Sequence, residues 1–571
     1  MAKFLRHSLI LLALIVGLAS AQTVNVAWPY QLPPDGHFNT YGSARISLGF
    51  YQDFMEPPLA VYMWADGVYE GMAAESFGFD DRGNYTVTLK DGYTWSDGTP
   101  ITSADLIATF YTGYIIGWSV WDNLDAVVAV DSHTAKFIMA SPSVATERLI
   151  MTENLRPASV YGSFAMKAAA LKAMGHKGGD ADFDAALEEL TNFRPETFVS
   201  GGPFVLLAEN IGDARIKLVK NPGGVAADTV AFDEAIVWNG ETETVFPLLQ
   251  DGELWYATHG FSPAQEEAHI NKGLDIIRNP YYSGPAIYFN NHIEVLANPV
   301  LHQAIAYAID REENGFVSLG QSGVAVEYMA GFSDNLLKGY VSEDVLDSLN
   351  TYDYDPEKAA ELMASMGYSK GDDGIWQDAD GKDLAFELIF PAEFADWSAA
   401  AENAAQALND FGIKITARGV QFQQQLQDVY NGDYELAIRN WGAGSPFPYQ
   451  SYLVPYRQFN GQGELAGEGG GGMGFNTMVS YSGGEMDVLE QTIASSEGTD
   501  RETQGAIVAE LAKSFNELLP IVPLWERYGN NPINRAQLDA PEGNDPIYLN
   551  AGADHFMPYM ILTGKVRPAG Q

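Results

Sequence analysis

The chain has 571 residues, 46% of them hydrophobic and 19% charged, with 32 basic against 75 acidic side chains and no cysteine. That length and composition exclude a disordered chain and supply more than one packed core, while a formal charge of −43 argues against nucleic acid or any other polyanion as a partner. Without cysteine there are no disulfides, no thiol catalysis, no thiolate metal site and no lipid attachment through an N-terminal cysteine.

Taken in order, the chain opens with Lys3 and Arg6, an apolar run from Leu9 to Ala19, and small residues up to Ala21 before Gln22. These are the three parts of a secretory leader, and cleavage is expected after Ala21. The apolar run is roughly half of the ~20 residues a membrane span needs, and no later stretch is long or apolar enough to cross one. Removing residues 1–21 leaves 30 basic against 75 acidic residues, a formal charge of −45. The acids are dispersed, which reads as a solvated acidic surface and not as an interaction tail. The mature chain is expected free in the periplasm.

A short strand, Thr23 to Ala27, precedes an aromatic stretch holding Trp28, Tyr30, Phe38, Tyr41, Phe50, Tyr51 and Phe54. Asn84 to Asp91 alternates as a strand, Gly92 to Pro100 is a turn, and a helix follows with Thr102 as its cap and Asp105 in the capping-box position. Between Leu384 and Pro446 the pattern becomes strict: strand Leu384 to Phe390, helix Trp397 to Phe411, strand Ile413 to Arg418, helix Phe422 to Tyr430, strand Tyr434 to Arg439. Asp396 is placed to cap the first of these helices and Gly412 to end it in a left-handed turn. Strand, crossover helix and strand repeated twice imply a parallel sheet, whose ligands bind beyond the carboxyl ends of its strands. Residues 391–397 and 440–449 leave such ends, and each carries a tryptophan.

Tyr85 to Asp105 (YTVTLKDGYTWSDGTPITSAD) resembles the most recognisable motif of the family 5 extracellular solute-binding proteins, the peptide, nickel and oligosaccharide receptors of ABC importers. Further segments are similar to that family in the same order. They are Ser200 to Leu206 (SGGPFVL) with Arg215 to Pro222 (RIKLVKNP), Leu249 to Trp255 (LQDGELW), Ala286 to Asn290 (AIYFN), Val300 to Arg311 (VLHQAIAYAIDR), Tyr354 to Ala359 (YDPEKA) and Leu519 to Leu524 (LPIVPL). The resemblance covers nearly all of the mature chain. It implies an α/β fold in the two-lobed periplasmic-binding-protein architecture, type II, of the large cluster with an extra inserted subdomain, the lobes joined by a hinge. Residues 22–66, 196–285 and 522–571 would form the first lobe, 67–195 the inserted subdomain and 286–521 the second lobe. Crossings near Tyr288 to Asn291 and Leu519 to Trp525 would hinge the two. Gly461 to Gly474 reads as a surface loop.

The candidate ligand contacts follow from that layout. Trp441, flanked by Asn440, Gly442 and Gly444, can expose its face where glycines let a ligand approach the backbone; the alternative is a ring folded back onto the sheet. Trp397 stands at a helix start on the same edge, and Tyr449, Tyr282, Trp255 and His259 lie near the expected cleft edges. Peptide-binding members of the family place an aspartate after the third strand to meet the ligand's ammonium, whereas this chain reads NWGAGSPFPYQ from Asn440 to Gln450 with no acid. With 11 tryptophans and 29 tyrosines available, that absence favours a neutral oligosaccharide stacked on aromatic rings. A peptide remains the alternative, with Glu393 or Asp396 taking the ammonium.

Other patterns carry less. Asp378 to Asp383 is a fragment of a calcium loop without its closing glutamate and reads as an acidic hairpin turn. Gly467 to Gly472 has no flanking strand and helix for a dinucleotide site, and no His-Glu-x-x-His motif occurs. The sequence therefore points to a monomeric receptor without cofactor or metal that passes a small oligomeric solute to ABC permease subunits. A secreted polysaccharide-acting enzyme with two carboxylates flanking an aromatic cleft is the contrasting reading.

Overall fold

Five strands in the order Lys414–Val420, Ala385–Pro391, Leu436–Trp441, Gly284–Phe289, Ile521–Pro523 make one sheet, in which the first three run parallel and Gly284–Phe289 runs antiparallel to both its neighbours. The parallel trio is the one read from the alternating pattern, and its helices Ala395–Phe411 and Phe422–Asn431 fall on the expected residues. Ala400, Ala401, Ala404, Ala405, Leu408 and Phe411 recur at helical spacing and are buried, which fixes the face the longer helix turns to the sheet. Gly412 ends it with φ +105°, a conformation that a Cβ would strain. This computed structural model describes residues 22–29, 37–42, 45–461 and 471–570. The leader, Tyr30 and most of the glycine-rich stretch around 461–474, Gly467 included, lie outside the described residues. No helix among the described residues is long and apolar enough to cross a membrane.

Two more sheets occupy the rest of the chain. Thr23–Ala27 lies parallel to Glu234–Trp238, which pairs antiparallel with Arg215–Lys220 and through it with Phe204–Ile211. Ala74–Phe79, Tyr85–Leu89, Thr134–Met139 and Leu124–Ala129 form an antiparallel sheet of their own. The helix Ser103–Ile115 is closed by the expected capping box of Thr102 and Asp105. The helix expected from Val300 to Arg311 stops at Ala308, because the Asp310 side chain accepts the Glu313 amide and starts a second helix, Arg311–Leu319. Asp378 accepts the amides of Asp380 and Lys382, so the acidic fragment is a turn leading into the strand at Ala385.

The apolar residues separate into two large cores. One gathers Ala286 to Trp525, and the other draws from residues 24–277 and 533–566. Between them two chain segments run side by side. Ile521–Pro523 pairs with Ala286 to Tyr288, Arg527 exchanges backbone hydrogen bonds with Ser283 and Tyr281, and Asn531–Ile533 pairs with Asp275–Ile277. The chain thus passes between the cores on an antiparallel ladder at residues 278–283 and 527–530, a few residues N-terminal of the expected first crossing and C-terminal of the second. The strand Trp525–Arg527 pairs with Gly323–Ala325 and so stays with the second core. Tyr282, at φ +56°, sits in this passage, a strained conformation that the surrounding pairing holds in place.

Candidate functional site

Residues from both cores and from the passage converge where the parallel strands end. After the strand Ala385–Pro391 the chain turns into a helix whose cap is Phe394; Asp396 lies in the first turn and does not cap it as expected. Its carboxylate accepts the Trp397 amide at 3.0 Å, and its Oδ2 stands 3.5 Å from Arg527 Nη1, with no hydrogen bond made by that oxygen. The Asp396 side chain is 12% exposed and that of Arg527 27%. Glu393, the other acid considered for an ammonium, accepts the Phe422 amide with both oxygens, at 3.0 and 2.9 Å, and caps the next helix instead.

Arg527 reaches this position from the passage. Its guanidinium lies 5.3 Å from the centre of the Tyr281 ring, a cation–π contact, and its Nε is buried without a hydrogen-bond partner. A Cβ on Gly260 would come within 2.9 Å of Nη2, so a glycine is what lets the guanidinium close against the first lobe's backbone. Next to Gly260 is His259, 6% exposed. Its Nε2 donates to the Gly240 carbonyl at 2.7 Å, leaving Nδ1 as a bare acceptor buried without a partner. Burial holds its pKa down to about 4, with the Arg527 charge acting in the same direction and the Gly240 carbonyl against it. Asn531 Oδ1, fully buried beside the passage, is also unpartnered. Buried polar atoms are nearly always paired, so this concentration of unpaired ones marks a place built to receive polar groups from elsewhere.

A second junction lies on the other side of the passage. Phe447, in the segment after the strand Leu436–Trp441, packs 5.5 Å from Tyr62, and Arg148 lies 5.9 Å from both rings. The Arg148 guanidinium and the Asp554 carboxylate meet through two hydrogen bonds, and Asp554 also accepts from Trp64 Nε1 and the Tyr62 amide. Every oxygen there is engaged.

The remaining sequence candidates divide accordingly. Trp441 does not offer a face to a cleft: it is 1% exposed, packs in the second core and donates from Nε1 to the Trp525 carbonyl at 3.1 Å. The strand's pairing with Gly284–Phe289 turns the ring inward, where the indole finds both apolar neighbours and an acceptor. Asn440 is half-buried, donates to the Gly442 carbonyl and accepts the Tyr288 hydroxyl on its own carbonyl. Tyr282 is buried against Trp64, its hydroxyl donating to the Leu549 carbonyl, so it belongs to the junction between the cores. Tyr449 is half-buried near Phe447, its pKa pushed up to about 12 by burial against the pull of Arg148. Trp255 is half-buried against the first core, with its backbone held by Asn25 and Asn534. Trp397 is half-buried, edge-on to Phe394 at 5.5 Å, beside Asp396. Of the seven, the structure brings Trp397 and His259 to the unpaired cluster. The sequence reading missed Arg527, whose only signal was its place three residues after the Leu519 to Leu524 segment.

An open groove of about 640 Å³ lies apart from this cluster, lined by Gln303, Asp344, Asn350, Lys513 and Glu517 among others. Two of its acids are engaged: Glu517 accepts the Ser482 amide, and Glu510 takes Lys513 and the Tyr481 hydroxyl. No group of three or more metal-ligating side chains occurs among the described residues.

Comparison with known proteins agrees with this architecture. The model of the bacterial extracellular solute-binding proteins, family 5 Middle, matches residues 68–463. The glutathione-binding protein GsiB of Shigella boydii is 25% identical over 315 residues, 53% of this chain and 54% of its own length. The probable D,D-dipeptide-binding periplasmic protein DdpA of Escherichia coli is 22% identical over 393 residues, 66% of each chain. The chain thus matches about half the length of the first of these relatives. Among solved structures, the mannohexaose-bound periplasmic oligopeptide-binding protein of Thermotoga maritima superposes with a TM-score of 0.72 at 19% identity, covering 97% of this chain and 99% of that one. NikA of Brucella suis with Fe(III)-EDTA gives 0.73 at 18% identity, covering 96% and 99%. The shared feature is the two-lobed α/β fold.

Proposed function

We propose, on the premise that this chain belongs to the bacterial extracellular solute-binding proteins of family 5, that it is the extracytoplasmic receptor of an ABC importer and takes a short peptide between its lobes. The observation that carries the ligand class is the pair Asp396 and Arg527, opposite charges that face each other at 3.5 Å with unpaired atoms between the cores. The two are ion-paired to each other, yet Asp396 Oδ2 and Arg527 Nε keep hydrogen-bonding capacity that is unfilled, and charged ligand groups fill such capacity more strongly than neutral hydroxyls. A peptide supplies an ammonium for one and a carboxylate for the other. The relatives named for binding glutathione and D,D-dipeptides support the same reading.

The acid missing from Asn440 to Gln450 had favoured an oligosaccharide; Asp396 supplies that charge from the preceding strand end. An oligosaccharide is the second reading, favoured by the mannohexaose-bound neighbour of the same fold and by the half-buried ring of Trp397 beside the exposed ring of Phe394. A family of solute-binding proteins supports binding without turnover, a periplasmic location and delivery to permease subunits. Titration calorimetry of the purified chain with short peptides and with mannohexaose decides between the ligand classes. Peptide binding with no product released supports the proposal; binding of the hexasaccharide alone refutes it.

A further inference from the structure

Glu526 lies in the middle of the strand Trp525–Arg527, whose alternation turns its side chain away from those of its two neighbours. It is 2% exposed. The Ser333 hydroxyl lies 3.0 and 2.8 Å from its two oxygens, Asn335 Nδ2 lies 2.9 Å from Oε1, and the Tyr282 amide bears on the same carboxyl from the opposite segment of the passage. Among the described residues no basic side chain pairs with it; Arg527, next in sequence, faces Asp396 instead. The other ionisable groups around it are Asp334, Tyr528 and Tyr282. The Tyr282 hydroxyl is committed to the Leu549 carbonyl, and that of Tyr528 takes Asn335 Nδ2 at 2.7 Å. Asp334 accepts the Glu327 and Tyr328 amides, with Arg311 and Glu327 beyond it, and Arg311 is spent on the carbonyls of Val326, Thr351 and Tyr352. A buried carboxyl that faces a second carboxyl and no counterion keeps its proton, because ionising it there strands a charge.

The same turn carries a contact between the two cores. Leu336, one residue after Asn335, packs against the cluster of Trp64, Tyr282 and Ala551. Leu336 also packs on the second core, while the strand Ala60–Met63, which leads into Trp64, lies in the first. On the first core's side the contact is fixed, since Asn550 accepts the Trp64 amide and Asp554 its Nε1. On the other side it rests on a helix of four residues, Asp334–Leu337, with Ser333 as its cap. So short a helix has little stability of its own. Ser333 Oγ accepts the Asn335 amide and donates to Glu526, so the carboxyl holds the turn that presents Leu336.

We infer that Glu526 is a proton-operated latch between the cores: with its proton in place the turn from Ser333 to Leu337 seats Leu336 against Trp64 and Tyr282, and loss of that proton to water unseats it. The latch acts whichever solute the protein carries. Once the turn is unseated, water reaches the carboxyl from the side of the exposed Asn335 and its pKa falls back toward 4.5, whereas in the seated form burial, with Asp334 adding to it, holds the pKa at about 8. The contact is therefore strongest below about pH 4.5, weakens as pH rises toward 8, and changes no further once both forms are ionised.

Hydrogen exchange of the purified chain, followed by mass spectrometry at about pH 5.5, 7 and 8.5 with each rate divided by its intrinsic value, tests the latch. Amides of residues 334–337 and of Tyr282 should lose protection by about tenfold or more across that range, while those of the helix Ala395–Phe411 keep theirs. Glu526→Gln, which cannot ionise, should hold the protection of 334–337 to within about threefold over the same range. A merely structural role for Glu526 would lower protection in the variant at every pH and leave the profile's slope intact. Protection of 334–337 that does not change with pH in the parent overturns the inference. So does an equal loss in the Ala395–Phe411 helix, since the whole fold and not this contact would then answer to the proton. The comparison of segments on the parent chain needs no variant, so it stands even where Glu526→Gln fails to fold.

Discussion

Val144 donates its amide to the Gly498 carbonyl at 3.1 Å, and Gly498 donates its own amide to the Pro142 carbonyl at the same distance. With the Ser143 hydroxyl bonded to the Ser496 carbonyl, the pair forms a parallel backbone bridge between residues 142–144 and residues 496–498. It sits far along the chain from the passage at residues 278–283 and 527–530 and adds a further point of contact beside that of Phe447 with Tyr62.

Gly498 has φ +67° and uses its amide, and proline can supply neither. Gly498→Pro should therefore break this bridge. Two partly exposed backbone hydrogen bonds are worth about 1–3 kcal/mol together, and the expected result is a faster ligand off-rate and an affinity weaker by about tenfold. Stopped-flow dissociation measures it; an unchanged off-rate would show that the bridge plays no part in closure.

Arg148 and Asp554 are both buried and bidentately paired; burial pushes the Arg148 pKa down, and the charge and hydrogen bonds of Asp554 together with Tyr69 more than offset it, leaving it raised. Removing one partner strands the other. Asp554→Ala should cost about 3–5 kcal/mol and also release Trp64 and the Tyr62 amide. Urea unfolding checks this, and a loss below about 1 kcal/mol would contradict it.

Glu526 accepts from the Ser333 hydroxyl, which lies within 3.0 Å of both its oxygens, and from Asn335, yet burial, with Asp334 adding to it, pushes its pKa up from 4.5 to about 8. Because the folded pKa is the higher one, the folded chain retains a proton that the unfolded chain releases. The stability this gives is complete below about pH 4.5 and is lost as pH rises toward 8. Glu526→Gln keeps the neutral shape at every pH. Relative to the parent, its melting temperature should gain roughly 2 °C or more between pH 5 and pH 8.5. A pH-independent difference would refute the assignment.

Trp441→Ala is expected to lower stability by about 3–5 kcal/mol, since the ring is buried and its Nε1 is bonded to the Trp525 carbonyl. Ligand affinity should change by less than about threefold once the folded fraction is accounted for. A large affinity loss with intact stability would restore this ring to the binding surface.

Local pattern reached a long way in this chain. The spacing of alanines and leucines from Ala400 to Phe411 determined a helix and its buried face, Gly412 its end, and Thr102 with Asp105 another helix's start, because each depends on neighbours within four residues. The order of the family-like segments likewise determined the two-lobed architecture. The sequence could not decide which way a strand-end residue turns. Trp441 and Asp396 were both placed at strand ends, yet pairing with Gly284–Phe289 drives the indole into the core, while a helix begun one residue before Asp396 aims its carboxylate at Arg527. Those two charges lie 131 positions apart in sequence and meet only because the passage at 527 folds back across the second lobe. A binding site made of long-range proximity leaves no periodicity to read; the tertiary structure alone sets it.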